Sequence, residues 1–306
     1  LYTIENFCSI GIIGFILQNI SFTVTVPLWL LIHIIFSPVA KPFPGTHANS
    51  MLLIPTWDLK VLPYSIILGY ILPTILMALP SPTFVWPETH QRYIALWQAF
   101  PIWTVIAHII LRSAGQWFKR KAAGKKSDSN SQTPQGASYL GNAKHIYRFV
   151  LGLCISTHVP VLLLAIFPAH IIENPSSTLA HLAQNTLNSI YVPYFPYPLD
   201  YQISSLAEGV HTFLMWDLYV GSAAFLLWSV LLYRNATMEK RIVDPTSSLP
   251  IYRGLLLGGG KKGTGESRRL LAKIGTWTVV SGPIGAVTVL LWERDMIATQ
   301  KIKQGI

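Results

Sequence analysis

The chain has 306 residues, of which 51% are hydrophobic and only 12% charged, and its formal net charge is +10. A soluble domain carries about 25% charged residues, so this composition excludes an ordinary water-soluble enzyme and points to a polytopic membrane protein. The basic residues sit in loops between apolar spans, which reads as the positive-inside signal and not as a nucleic-acid footprint.

Six apolar stretches are each long enough for a membrane helix, which needs about 18 or more apolar residues. The first covers 7–36, carries Gln18 and Asn19, and is expected to kink at Pro27. The second covers 62–79, with a kink expected at Pro73, whose ring and missing N–H break the helical ladder. The third covers 93–111 with Pro101 inside, the fourth 146–167 with Pro160, the fifth 205–232, and the sixth 274–292 with Gly282-Pro283 at its middle. The fold class is therefore all-α, a single transmembrane helical domain over 1–306. The chain begins at Leu1 and not at Met, so a preceding segment is expected, and a further span there would make seven.

Loops 37–61, 113–145 and 234–273 hold 17 of the 23 Lys and Arg residues, and the opposite ends at 1–6, 83–92, 168–204 and 293–306 hold 4. The basic loops are expected to be cytosolic, with the endoplasmic reticulum the expected membrane. Loop 121–138 is polar and low in complexity. The 168–204 connection, with Tyr191-Val-Pro-Tyr194-Phe-Pro-Tyr197-Pro, reads as an ordered aromatic cap on the other side. No repeat relates the two halves, so an inverted-repeat transporter is unsupported.

Cys8 and Cys154 both lie in apolar stretches, which rules out a disulfide framework. The run Gly258-Gly-Gly-Lys-Lys-Gly-Thr-Gly lacks the ending of a phosphate-binding loop. No two histidines stand three or four residues apart, so no helix face offers a metal pair. Asp-rich diphosphate motifs and Gly-x-Ser-x-Gly are missing. Asn235-Ala-Thr237 matches a glycosylation sequon, but its expected cytosolic position leaves it unmodified.

Candidate chemistry then falls to acids, aromatics and amides at membrane depth. Asp217 lies near the middle of the fifth span, where a carboxylate costs roughly 2.5–3.5 kcal/mol and intramembrane acids are functional by default. Glu208, Asp58 and Glu88 are the other candidate catalytic acids. Glu208 near a helix start suits the helix dipole, and Asp58 and Glu88 suit an interfacial position. Glu208, His211, Met215 and Tyr219 share one helix face, and Asp217 points about 180° from Glu208. Trp216, Tyr219, His211, Tyr70, Trp103 and Asn19 are the candidate substrate-binding residues. His33, His108 and His158 read as helix–helix hydrogen-bonding groups. A buried carboxyl that keeps its proton can protonate an olefin or epoxide of a polyprenyl chain. Aromatic faces stabilise the resulting carbocation, and dry surroundings keep it from being quenched. This chemistry calls for no metal and no other cofactor.

Three runs carry a resemblance: Leu62-Pro-Tyr-Ser-Ile-Ile-Leu-Gly-Tyr-Ile-Leu-Pro-Thr-Ile-Leu-Met-Ala-Leu-Pro-Ser-Pro82, Trp97-Gln-Ala-Phe-Pro-Ile-Trp103 and His211-Thr-Phe-Leu-Met-Trp-Asp-Leu-Tyr-Val-Gly221. Over about 10–292 the chain resembles fungal integral membrane proteins of meroterpenoid and indole-diterpene clusters, among them terpene cyclases of the ascofuranone and macrophorin type. The resemblance implies protonation-initiated cyclisation of a farnesyl-type chain on an aromatic or quinone-like head. It also implies a lipophilic prenylated substrate and membrane lipid as partners, with no nucleic acid. The site residues rest on the residue reading alone. The alternative is a membrane transporter or non-catalytic membrane partner of the same kind of pathway, with Asp217 as a proton-coupling group.

Overall fold

A computed structural model describes residues 2–37, 40, 56–123, 135–166, 186–193, 205–237 and 261–304. Every regular element among them is helical: α1 (Tyr2–Ile20), α2 (Phe22–Phe36), α3 (Thr56–Met77), α4 (Pro87–Gln98), α5 (Phe100–Ala123), α6 (Gln135–Ile166), α7 (Leu187–Tyr191), α8 (Leu206–Thr237) and α9 (Lys261–Gln304). Four stretches are long and apolar enough to cross a membrane: Thr56–Met77, Tyr139–Ile166, Leu206–Thr237 and Ser267–Gln300. Counting the bent pair α4–α5 as one makes five. Large apolar side chains such as Ile12, Phe15, Leu28, Leu68, Ile110, Leu214 and Leu227 face outward, as they do on helices that lie against lipid. The interiors of the basic loops and most of the 168–204 segment, including Tyr194 and Tyr197, lie outside the described residues.

The stretch expected as one long first span is two helices. Its break falls at Ser21, whose φ of 125° lies where L side chains rarely sit, and α2 runs on through Pro27. Within α3 the irregularity precedes Pro73 instead of sitting on it. Residues Ile67–Ile71 form a π-helical turn, and the Leu72 N–H bonds the Ile67 carbonyl, five residues back. Shifting the ladder by one residue there removes the clash and the lost bond that Pro73 would impose on an α-helix. Between α4 and α5 the chain bends by 68° at Ala99, and Pro101 falls in the first turn of α5, where proline is tolerated.

The chain groups into two compact units. The first comprises 1–21, 44–149 and 295–306, the second 22–43 and 150–294. In the first, α5 packs antiparallel on α3 and on α1. Glycines at the contacts let the backbones close: a Cβ on Gly69 would lie 2.4 Å from the Thr104 backbone, and one on Gly14 would lie 2.9 Å from Pro101. In the second, α2 lies along α8, and Cys154 and His158 of α6 face Gly285 and Gly282 of α9.

Helix α9 is not straight. Gly282 has φ 71° and ψ 173°, and Pro283 follows it. A straight helix would hold Lys273 and Glu293 about 30 Å apart, far beyond the reach of the two side chains. Their ammonium and carboxylate are 2.6 Å apart. The helix therefore doubles back at Gly282 into a hairpin. Its open end rests on the last turn of α8, where Lys273 lies over the Tyr233 ring and Arg234 bonds Ser267. The sixth stretch, read from the sequence as a single crossing over 274–292, is thus folded sharply at Gly282, with Glu293 set beside Lys273. Cysteines placed singly at positions 264 and 303 of a cysteine-free variant are expected to react with an impermeant maleimide from the same face of sealed microsomes. Reaction from opposite faces would refute the hairpin.

Candidate active site

Helix α8 carries the sequence-predicted acids Asp217 and Glu208 on two different faces. Toward α2 it presents Asp217, Gly221, Phe225 and Trp228, spaced four, four and three residues apart. Because the chain restarts at Phe22 after the Ser21 break, the first N–H groups of α2 have no helical partner of their own. Asp217 supplies one: Oδ1 accepts the Thr23 N–H at 2.7 Å and Oδ2 the Phe22 N–H at 3.3 Å. Thr23 Oγ1 also donates to the Asp217 carbonyl. This gives Asp217 a structural role that its sequence position did not show, that of a cap supplied from another helix.

From Asp217 an aromatic row follows the α2–α8 seam. The Phe22 ring occupies the space above Gly221, where a Cβ would lie 2.0 Å from it. Phe22 faces Phe225 at 6.0 Å, Phe225 faces Trp228 at 6.3 Å, and Trp228 meets His33 edge-on at 5.4 Å while its Nε1–H donates to His33 Nδ1. Trp29 continues the row 6.0 Å from His33. Asn235 ends the seam, its Nδ2 donating to the Ala40 carbonyl at 2.8 Å, so the sequon amide is buried in a helix contact. Three of these contacts join residues 195 positions apart, which makes α2 and α8 parallel and in register.

The other face of α8 carries Glu208, His211, Met215 and Tyr219. Glu208 is half-buried in the first turn, and its N–H donates to the Ser205 hydroxyl; His211 is exposed and Met215 buried. Tyr219 donates its hydroxyl to the Tyr191 carbonyl at the end of α7. The His158 ring stands edge-on to Tyr191 at 5.9 Å, and the hairpin tip at Gly282 lies against His158. Trp216, half-buried, adjoins Asp217 in sequence.

The remaining predicted residues belong to the first unit. Asp58 is 1% exposed and pairs with Arg112, whose Nε lies 3.0 Å from Oδ1 but off the line of a straight hydrogen bond, so charge holds the pair. One layer along, Ser65 and His108, both buried, meet at 3.2 Å between Oγ and Nδ1. Asp58 with Ser65 on α3 and His108 with Arg112 on α5 thus form a buried polar ladder. His33 and His108 are helix–helix hydrogen-bonding groups, as read from the sequence. Tyr70 stacks at 4.8 Å on Phe100, Trp103 donates to the Leu96 carbonyl, and Asn19 bonds the Phe15 carbonyl of its own helix. Glu88 is exposed in the first turn of α4. Phe22, Phe225, Ser65 and Arg112 escaped the sequence reading. The four-residue spacing of Gly221 and Phe225 from Asp217 was the available signal for the first two, and nothing local marks the others.

Fold and site together define an all-helical protein of long apolar helices with acids and aromatic rings set between them. The chain belongs to the family of the CtvD domain, whose model matches residues 6–299. It is similar to the terpene cyclase ascI of Acremonium egyptiacum, 26% identical over 292 residues, covering 95% of this chain and 64% of that protein. The terpene cyclase ctvD of Aspergillus terreus is 28% identical over 278 residues, 91% of this chain and 65% of that protein. The terpene cyclase penA of Penicillium crustosum is 33% identical over 181 residues, 58% of this chain and 43% of that protein. The chain thus spans somewhat under two thirds of the length of the first two. No solved structure matches it significantly.

The Asp58–Arg112 pair has side-chain exposures of 1% and 17%. Removing one partner of a buried pair typically costs about 3–5 kcal/mol, because the remaining charge is stranded. Arg112→Ala is expected to lower the unfolding temperature in detergent sharply, and Asp58→Leu added to it to recover much of the loss. A double variant no more stable than the single would show that the two charges are not coupled.

Proposed function

We propose that this chain acts as a terpene cyclase that protonates an epoxide or olefin of a farnesyl-type meroterpenoid and guides the carbocation to a cyclised product. The names of its relatives support cyclase chemistry. The observation that carries the finer reading is Asp217 at the head of the Phe22–Phe225–Trp228 row.

The two bonds to Asp217 are unequal, 2.7 Å at Oδ1 and 3.3 Å at Oδ2. In this reading the transferable proton is assigned to Oδ2, the oxygen with the longer of the two bonds. The Oδ2 proton passes to the substrate's alkene carbon or epoxide oxygen and leaves a tertiary carbocation. Ring closure consumes a substrate π-bond for each new C–C bond, and loss of a proton from a neighbouring carbon ends the sequence. The aromatic row supplies ring faces that stabilise positive charge without forming a bond to it. Glu208, on the opposite face of α8, is the second candidate acid. The basic loops are assigned to the cytosolic side of the endoplasmic reticulum, and the substrate reaches the site from the lipid phase.

Microsomes carrying this protein alone are to be given an epoxyfarnesyl phenol and the products analysed. Asp217→Asn preserves an acceptor for the Thr23 N–H and removes the transferable proton, so turnover per folded protein is expected to fall roughly 10²–10⁴-fold with little loss of yield. Asp217→Ala removes the cap as well and is expected to cost a further ~0.5–2 kcal/mol of stability. Near-normal turnover for Asp217→Asn beside an inactive Glu208→Gln would move the acid to the Glu208 face. Unchanged substrate with wild-type protein, accompanied by altered export, would replace the enzyme reading with a transporter.

A further inference from the structure

The Tyr219 side of α8 holds a group that proton transfer from Asp217 does not use. Tyr191 closes α7, a short helix fixed by a reciprocal Thr186–Ser189 capping box. Its backbone carbonyl receives the Tyr219 hydroxyl, so Tyr191 is positioned through its main chain. Its own hydroxyl is buried and, among the described residues, has no hydrogen-bond partner. Buried hydroxyls are nearly always paired, so an orphan at a fixed position asks for a partner that arrives from outside the chain. Burial, with the neighbouring Tyr219 phenol, pushes the Tyr191 pKa up and keeps the group a proton donor.

The surroundings suit a flat oxygenated ring. The His158 imidazole stands edge-on to the Tyr191 ring, which leaves two aromatic surfaces at one corner. The third side is the hairpin tip. A side chain at position 282 would start 3.4 Å from His158 Nδ1 on a backbone with φ 71°, so glycine is what keeps the tip bare against the imidazole. A hydrocarbon tail offers a phenolic O–H nothing to bond, whereas a carbonyl or hydroxyl oxygen on a ring offers an acceptor.

We propose that the Tyr191 hydroxyl, with His158 beside it, is the binding site for a carbonyl or hydroxyl oxygen on the aromatic or quinone-like head of the prenylated substrate. This rests on the cyclase reading and adds to it the group that recognises the head. Tyr191 is a specificity residue here, not an acid.

Tyr191→Phe tests it cleanly, because the ring, the His158 contact and the carbonyl that anchors Tyr219 all remain. Binding of farnesyl-benzoquinone and of farnesylbenzene, which lacks ring oxygens, is to be measured on the purified full chain in nanodiscs by quenching of tryptophan fluorescence. Loss of one neutral hydrogen bond is expected to weaken quinone binding about 3- to 10-fold and leave farnesylbenzene unchanged. Equal losses for both ligands, or none for either, would overturn the proposal, the second outcome meaning that water alone satisfies the phenol. Wild-type protein that binds the quinone no better than farnesylbenzene would overturn it too. Failure of the cyclase reading shows separately, as tight quinone binding without any cyclised product from the epoxyfarnesyl phenol.

Discussion

The second unit depends on one carboxylate meeting one helix start. Helix α2 begins abruptly after Ser21, so its leading N–H groups need an acceptor, and in apolar surroundings water is not there to serve. Asp217 reaches across from α8 and fills that need. The contact fixes the register of the parallel pair. Gly221, one turn on, then falls under Phe22, Trp228 falls against His33, and Asn235 falls against the Ala40 carbonyl. The acid singled out for its cost in the membrane thus holds two helices together and stands where an aromatic row begins.

The breaks in the helices follow the same logic. Each interruption frees backbone groups that must be satisfied inside the protein, so each recruits a device. Ser21 recruits Asp217, and Pro73 recruits a π-helical turn with the Leu72 N–H on the Ile67 carbonyl. The Ala99 carbonyl collects the N–H groups of Ile102 and Trp103 as α5 starts in a new direction. At Gly282 the chain turns back, with Pro283 removing one N–H from the account. Asp217 lies beside the break at Ser21, and His158 with Tyr191 lies near the one at Gly282.

Much of this was legible because hydrophobic runs and prolines act locally. The all-helical class, the apolar stretches and the exceptional position of Asp217 follow from a few residues read side by side. The partner of Asp217 did not, because a main-chain N–H 194 residues away leaves no mark in the sequence around the acid. The break at Ser21 was hidden for a related reason: Pro27 looks like the breaker, yet α2 runs on through it while a serine at positive φ is the true interruption. Arg112 carried no signal as the partner of Asp58, because hydropathy holds no information about which helix a residue at the edge of an apolar run faces.

The hairpin shows how a sequence signal can be present and still be misread. Counting Lys and Arg with 274–292 as a crossing gives 17 on one side against 4 on the other, a bias strong enough to accept. Three of those four are Arg294, Lys301 and Lys303, which follow the Gly282 turn. The Lys273–Glu293 bridge brings Glu293 back beside the open end of the first arm. Gly282-Pro283 within an apolar run was the local clue. A glycine free to adopt positive φ, followed by a residue that can only begin a helix, permits reversal as readily as a kink, and charge on the flanks decides between them.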